Sequence, residues 1–288
     1  MRATGYEAAS VWDIARPARR CRVPGIAVAG FRHAGAGPIA LPVIPNPSVT
    51  LVVEFGQGSL LVGDEARQQR GSLVAGLAPG AMCMRGNGFE CVEVRLSPVV
   101  ARAVLGTSAA DLGRAVVGLD DLWGREAVRI RERLDGMSLW DSRFAALDEL
   151  LTDRVATGPT MDREVVWVWQ RILRSGGLVR VEELADELGW SRRRLWGRFR
   201  SEVGVAPKRA AQLVRFDHAV QRLGAGEDLA SVAVECGYVD QSHLHREVLA
   251  FSGTTPGYLA GDVGIAVERA AFAAGTFVQD RRVSATPR

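Results

Sequence analysis

The feature that most constrains this chain is a duplication in its second half. The stretches "VEELADELGWSRRRLWGRFRSEVGVAP" and "LASVAVECGYVDQSHLHREVLAFSGTTP" align along their length. Val181, Leu184, Ala185 and Leu188 are spaced i, i+3, i+4, i+7, and Leu229, Val232, Ala233 and Cys236 repeat that spacing 48 residues later. Such spacing puts four apolar side chains on one face of a helix. Each run stops at a glycine and an aromatic, Gly189-Trp190 or Gly237-Tyr238, and a capping residue follows, Ser191 or Asp240. The second copy has one residue inserted there, and the offset is then 49: Leu195 matches Leu244, Phe199 matches Val248, Gly204 matches Gly253 and Pro207 matches Pro256. Each copy therefore predicts a helix, a glycine turn and a capped second helix, which is a helix-turn-helix unit. Two such units in register are much harder to produce by chance than one.

Projecting the second helices at about 100° per residue separates their faces. In the first, Leu195 and Phe199 mark the buried stripe; Arg193, Gly197 and Arg200 point away from it, with Arg194 beside them. In the second, Leu244, Val248 and Phe251 are buried, while Ser242 and Arg246 point outward between His243 and His245. Donors and acceptors thus gather near each helix N-terminus, the end that enters the DNA major groove in helix-turn-helix proteins. Gly197 carries no side chain and allows close approach; Trp196, at the edge of the buried stripe, either packs against the neighbouring helix or touches DNA sugars, and contact is the expectation. Residues 192–215 hold eight basic groups (Arg192, Arg193, Arg194, Arg198, Arg200, Lys208, Arg209, Arg215) and one acid, Glu202, a balance that attracts phosphates. Between the units, Leu213, Phe216, Val220 and Leu223 give a connecting helix that ends at Gly224 or Gly226.

Residues 163–260 resemble the DNA-binding domain of the AraC/XylS family of transcriptional regulators. The resemblance rests on "LADELGWSRRRLWGRFRSEVGVAP", on "VRFDHAVQRL" as connecting helix and on "VAVECGYVDQSHLHREVLAFSGTTPGYL". Within the last, "GYVDQSHLHREV" and the terminal Gly253, Thr255, Pro256 and Tyr258 are the most telling. Gly197 departs from the family's usual arginine, and Leu244 and Val248 from its usual phenylalanines. The resemblance implies a DNA-binding surface of Arg192, Arg193, Arg194, Trp196, Gly197, Arg200, Gln241, Ser242, His243 and Arg246. It also implies a β-rich front domain that binds a small effector, dimerises or both, double-stranded DNA and RNA polymerase as partners, activation of transcription, and no catalytic activity.

The front half fits that expectation. "GIAVAGF", "SVTLVVEF", "SLLVG" and "FECVEVRLS" read as strands, broken by "PNPS", "LAPG" and "RGNG". They predict a β-rich sandwich or small barrel. Ser97 and Pro98 start a helix, and "DDLWGREAVRIRERL" and "SLWDSRFAALDELLTDRV" keep helical spacing, with Leu139, Phe144, Leu147 and Leu151 as an apolar stripe. "TGPT", 157–160, is the expected boundary. The predicted class is α+β with two domains: 1–157 β-rich with trailing helices, 160–260 all-helical and DNA-binding, and 261–288 a tail.

The remaining features narrow the alternatives. The net charge of +3 says little about partners by itself. Cys21, Cys83, Cys91 and Cys236 are scattered, so neither a zinc ribbon nor a disulfide framework is expected. His243 and His245, two apart on a helix, diverge and make a poor metal pair. No metal, cofactor or membrane span is expected, and the first 20 residues lack the apolar core of a signal peptide, which points to the cytoplasm. The competing reading is a thiol-reactive front domain, redox-active or alkyl-accepting, joined to a DNA-binding half. It needs a cysteine of low pKa among Cys21, Cys83 and Cys91.

Overall fold

The computed structural model describes residues 11–35, 37–64, 66–77, 80–112 and 116–272. Ten strands among them form two antiparallel sheets. The strands are β1 (Trp12–Ala15), β2 (Ile26–His33), β3 (Ile39–Val43), β4 (Val49–Phe55), β5 (Ser59–Gly63), β6 (Gln68–Arg70), β7 (Leu73–Ala75), β8 (Met82–Asn87), β9 (Glu90–Leu96) and β10 (Val116–Gly118). The six-stranded sheet runs β1-β2-β9-β4-β7-β10 and the four-stranded sheet β3-β8-β5-β6. The β-rich front region is as expected, but β1, β3, β8 and the three-residue strands come as additions.

Alternation on the central strands divides the large sheet into two buried faces. Val92, Val94 and Leu96 of β9 and Val49, Leu51, Val53 and Phe55 of β4 pack toward helices. Ala29 and Phe31 of β2, Val52 of β4 and Cys91 of β9 face the small sheet. Glu93 and Arg95 share the parity of Cys91, so both charges point into the space between the sheets. Their neighbours in register are Ala29 and Val52 for Glu93, and Ala27 and Thr50 for Arg95. Those side chains are mostly small, and they leave room there.

The helical side begins with α1 (Pro98–Leu105), capped by Ser97 with Pro98 in its first turn. The next run is cut by Gly124, whose φ of 54° is left-handed, into α3 (Leu119–Trp123) and α4 (Arg125–Asp135), with α2 (Ala109–Leu112) before them. In α5 (Trp140–Thr157) Phe144, Leu147 and Leu151 are buried, but Leu139 is 67% exposed. The helix starts one residue too late for Leu139 to share its stripe. Trp140 takes the packing position, lying so close over Gly30 that any Cβ there would stand 2.4 Å from its ring.

The second half is helical throughout: α6 (Arg163–Arg174), α7 (Val181–Glu187), α8 (Arg192–Val203), α9 (Pro207–Gly224), α10 (Leu229–Glu235), α11 (Gln241–Ser252), α12 (Pro256–Leu259) and α13 (Val263–Phe272). Its core is continuous with the helix-facing core of the front region. Residues 263–272, read from sequence as the start of a tail, form a helix whose Val267 and Ala271 join the core between the sheets. The remainder of the tail lies outside the described residues.

Candidate nucleic-acid interface

Each unit turns at a glycine that no side chain-bearing residue would easily replace. Gly189 has φ 64° and Gly237 φ 70°, ending α7 and α10 in the left-handed conformation. The caps follow. The Arg194 amide donates to Ser191 Oγ at 3.2 Å and the His243 amide to Asp240 Oδ1 at 2.7 Å, satisfying amides that α8 and α11 leave orphaned. Leu195, Phe199 and Val203 anchor α8, and Leu244, Val248 and Phe251 anchor α11; all six are fully buried. Burial of each is worth about 1.5–3 kcal/mol, which fixes the outward faces by default.

Those outward faces carry the expected residues. Arg192, Arg193, Arg194, Trp196, Gly197 and Arg200 are exposed on α8, and Gln241, Ser242 and Arg246 on α11, while His243 is half-buried. The positions differ in freedom. Arg193 makes no ion pair among the described residues. Arg192 faces Glu182 at 3.5 Å, both well exposed, so that pair is weak. Arg194 lies over Trp190 at 4.4 Å and Arg200 over Trp196 at 4.9 Å, contacts that hold the guanidinium groups without neutralising their charge. A Cβ at Gly197 would meet nothing within 4 Å, so the face is open there. Arg246 Nε donates to its own turn, to the Ser242 carbonyl at 3.3 Å, leaving the fork of the guanidinium outward. The His243 ring packs edge-on against Tyr238, and its Nδ1 accepts from the Val239 amide at 3.5 Å. Both contacts lie at the start of α11.

The local count of eight bases against one acid overstates the free charge, because the neutralising acids come from elsewhere in the chain. Arg198 pairs with Asp162, the residue before α6, and Arg215 is held in a two-pronged pair with Glu247 at 3.2 and 2.6 Å. Glu202 is buried and accepts from the Asp162 amide at 3.0 Å. Tyr238 donates to Glu247 at 2.8 Å, completing a Tyr238–Glu247–Arg215 triad, buried but for part of Arg215, that locks α11 to α9. The sequence reading did not single out this triad. Its signal was present: Glu247 falls on the apolar stripe between Leu244 and Val248, where an acid needs a buried partner.

A second site lies between the sheets. It is a cavity of about 160 Å³, walled by aromatic and aliphatic side chains that include Trp12, Phe31, Leu60, Val62 and Phe89. Its polar rim holds Asn46, Ser48, Glu93, Arg95 and Glu268. Arg95 pairs with Glu93 at 2.9 Å and with Glu268. Burial costs this guanidinium hydration, yet Glu268 and Glu93 hold its pKa above the usual arginine value.

Two capped second helices, with polar faces outward and apolar faces locked, define a helix-turn-helix DNA-binding protein. Residues 184–260 match the helix-turn-helix domain family. No curated protein matches the chain. Several solved structures are similar to it at low identity. Unsaturated fatty acid-bound ToxT from Vibrio cholerae strain SCE256 has 11% identity and a TM-score of 0.48 over 83% of this chain and 96% of that one. The AraC-like transcriptional activator CuxR has 13% identity and a TM-score of 0.31 over 72% of this chain and 86% of its own. The C-terminal domain of AraT, a response regulator from Geobacillus stearothermophilus, has 19% identity and a TM-score of 0.33 over 35% and 85%. No helix among the described residues is long and apolar enough to cross a membrane.

Proposed function

We propose that this chain is a sequence-specific, DNA-binding transcription regulator whose α8 and α11 enter consecutive major-groove segments of one duplex. The carrying observation is the pair of capped helices joined by α9. At ~1.5 Å per residue its 18 residues make a rod of about 27 Å, commensurate with the roughly 34 Å between successive groove faces. The contact surface in this reading is Arg192, Arg193, Arg194, Trp196, Gly197 and Arg200 on the first helix, and Gln241, Ser242, His243 and Arg246 on the second. The front domain holds a small effector in the cavity between its sheets, and effector state sets promoter occupancy. Dimerisation through that domain, contact with RNA polymerase and a cytoplasmic location complete the reading.

Footprinting with the purified full chain tests it. A protected site with two contacted segments about one helical turn apart is expected. Absence of any protected site at low salt would overturn the reading.

The thiol-reactive alternative finds little support. Burial pushes the Cys21 thiol up to about 12, assisted by its hydrogen bond to Asp148, and burial raises Cys91 well above the ordinary thiol value. A thiol that holds its proton is a weak nucleophile.

A further inference from the structure

The cavity between the sheets is closed by α13, a helix that lies beyond the matched 184–260 domain. Val267 and Ala271 of α13 sit in the inter-sheet core, and Gly264, Val267 and Glu268 line the cavity itself. The Phe272 ring lies 6.3 Å from Phe31, and the Arg95 guanidinium lies 3.8 Å over it. The same helix reaches the DNA-binding half. Ile265 stands against Gly224, where an added Cβ would meet it at 3.0 Å, and Arg269 donates to the Gly224 carbonyl at the end of α9.

The charges where these elements meet do not balance. Among the described residues Arg95 is the one cation lining the cavity, and it already serves Glu93 and Glu268. Behind it lies Asp217 of α9, a buried carboxyl that accepts from Gln221 at 2.8 Å. Two carboxylates, Glu93 and Glu268, therefore share one guanidinium, with the buried Asp217 carboxyl behind it and the apolar cavity directly beside them. An anion entering there would add to the surplus and would have to displace a carboxylate from Arg95. A cation would relieve it. The space is that of a single ring with a short chain, since an apolar cavity of about 150 Å³ takes a benzene molecule.

We propose that the cavity under α13 binds a ring-sized apolar amine, its ammonium seated on Glu268 at the junction of β9, α13 and α9. This rests on the reading of the front domain as an effector domain. Occupancy then acts on α13, and through Ile265 and Arg269 on the end of the rod that carries both DNA-reading helices.

Three size-matched probes test the proposal on the full chain: 2-phenylethylamine, 2-phenylethanol and phenylacetate, followed by calorimetric titration at neutral pH. The amine should bind roughly tenfold tighter than the alcohol, as one charge-assisted hydrogen bond allows, and phenylacetate weakest. Glu268→Gln should bring amine and alcohol to equal affinity while leaving the alcohol within about twofold, a readout that a general loss of packing would not give. If Glu268→Gln does not fold, the wild-type order of the three probes still decides. Phenylacetate binding tightest, or none of the three binding, would overturn the proposal. Footprinting on the same preparation separates the two levels: a protected site with the wrong probe order removes the amine and keeps the regulator, whereas no protected site removes the regulator whatever the probes do.

Discussion

Among the exposed cations, Arg193 and Arg246 separate most cleanly into different roles. Arg246 stands near the start of α11 with its fork outward, suited to a two-pronged contact with a guanine edge. Arg246→Ala should cost about 1–3 kcal/mol and relax preference at one base position, read by affinity selection of randomised sites. Arg193, unpaired and one residue into its helix, suits a phosphate. Arg193→Ala should weaken all sites alike and reduce the salt slope of log K by about 1. At Gly197 the space is open, so Gly197→Ala should stabilise the helix by about 0.8–1 kcal/mol in thermal melts and still weaken DNA binding if the backbone approaches the groove there. Asp217 makes a prediction about pH. Burial pushes its carboxyl up to about 7, Glu268 adds to the rise, and Arg95 and Gln221 oppose it. An acid whose folded pKa exceeds its unfolded value, here 3.8, binds its proton more tightly when folded. Stability is therefore lost as pH rises between those values and stays lost above them. Asp217→Asn should flatten that decline, so that the mutant gains on wild type in melting temperature from about pH 4 to pH 7 and keeps the gain above.

Elements show where the sequence was readable and where it was not. The two helix-turn-helix units announced themselves because every signal was local: an apolar spacing, a glycine that must turn left-handed, a cap and a second stripe. Strands β2, β4, β5 and β9 were readable for the same reason, each a β-branched or alternating run long enough to show its period. Strands such as Gln68–Arg70 and Val116–Gly118 were not, because three residues carry no period and owe their conformation to partners supplied by β5 and β7. The seat of α13 was hidden differently. "VGIAVERAAF" shows helical spacing, but Glu268 finds its partner Arg95 173 residues away, and nothing local marks that pairing. The Tyr238–Glu247–Arg215 triad lies between these cases, an acid on an apolar stripe whose partner only the fold supplies. Removing that acid should be severe. Glu247→Ala leaves the half-buried Arg215 without its counter-charge and should destabilise by about 1.5–3 kcal/mol in denaturant melts. Replacing Arg215 and Glu247 together by apolar residues should recover much of the loss, because desolvating the pair offsets most of its attraction.

At the scale of the molecule, the front and back halves share one core, and two of the seats that join them stand out. One is α13, which reaches from the cavity to the end of α9. The other is the glycine after α8: Gly204, at φ 87°, lies so close to α2 that a Cβ would stand 2.6 Å from the Ala109 carbonyl oxygen. With no room at Gly204 for so much as a methyl group, α8 cannot swing without residues 109–112 following. The second reader is tied instead to α9 through Glu247 and Arg215. In the proposed reading such a molecule grips an operator with little play. Its half-sites must keep their helical phasing, and an insertion of about five base pairs between them, which a freely jointed pair of readers would accommodate, turns one half-site to the far side of the duplex and out of reach.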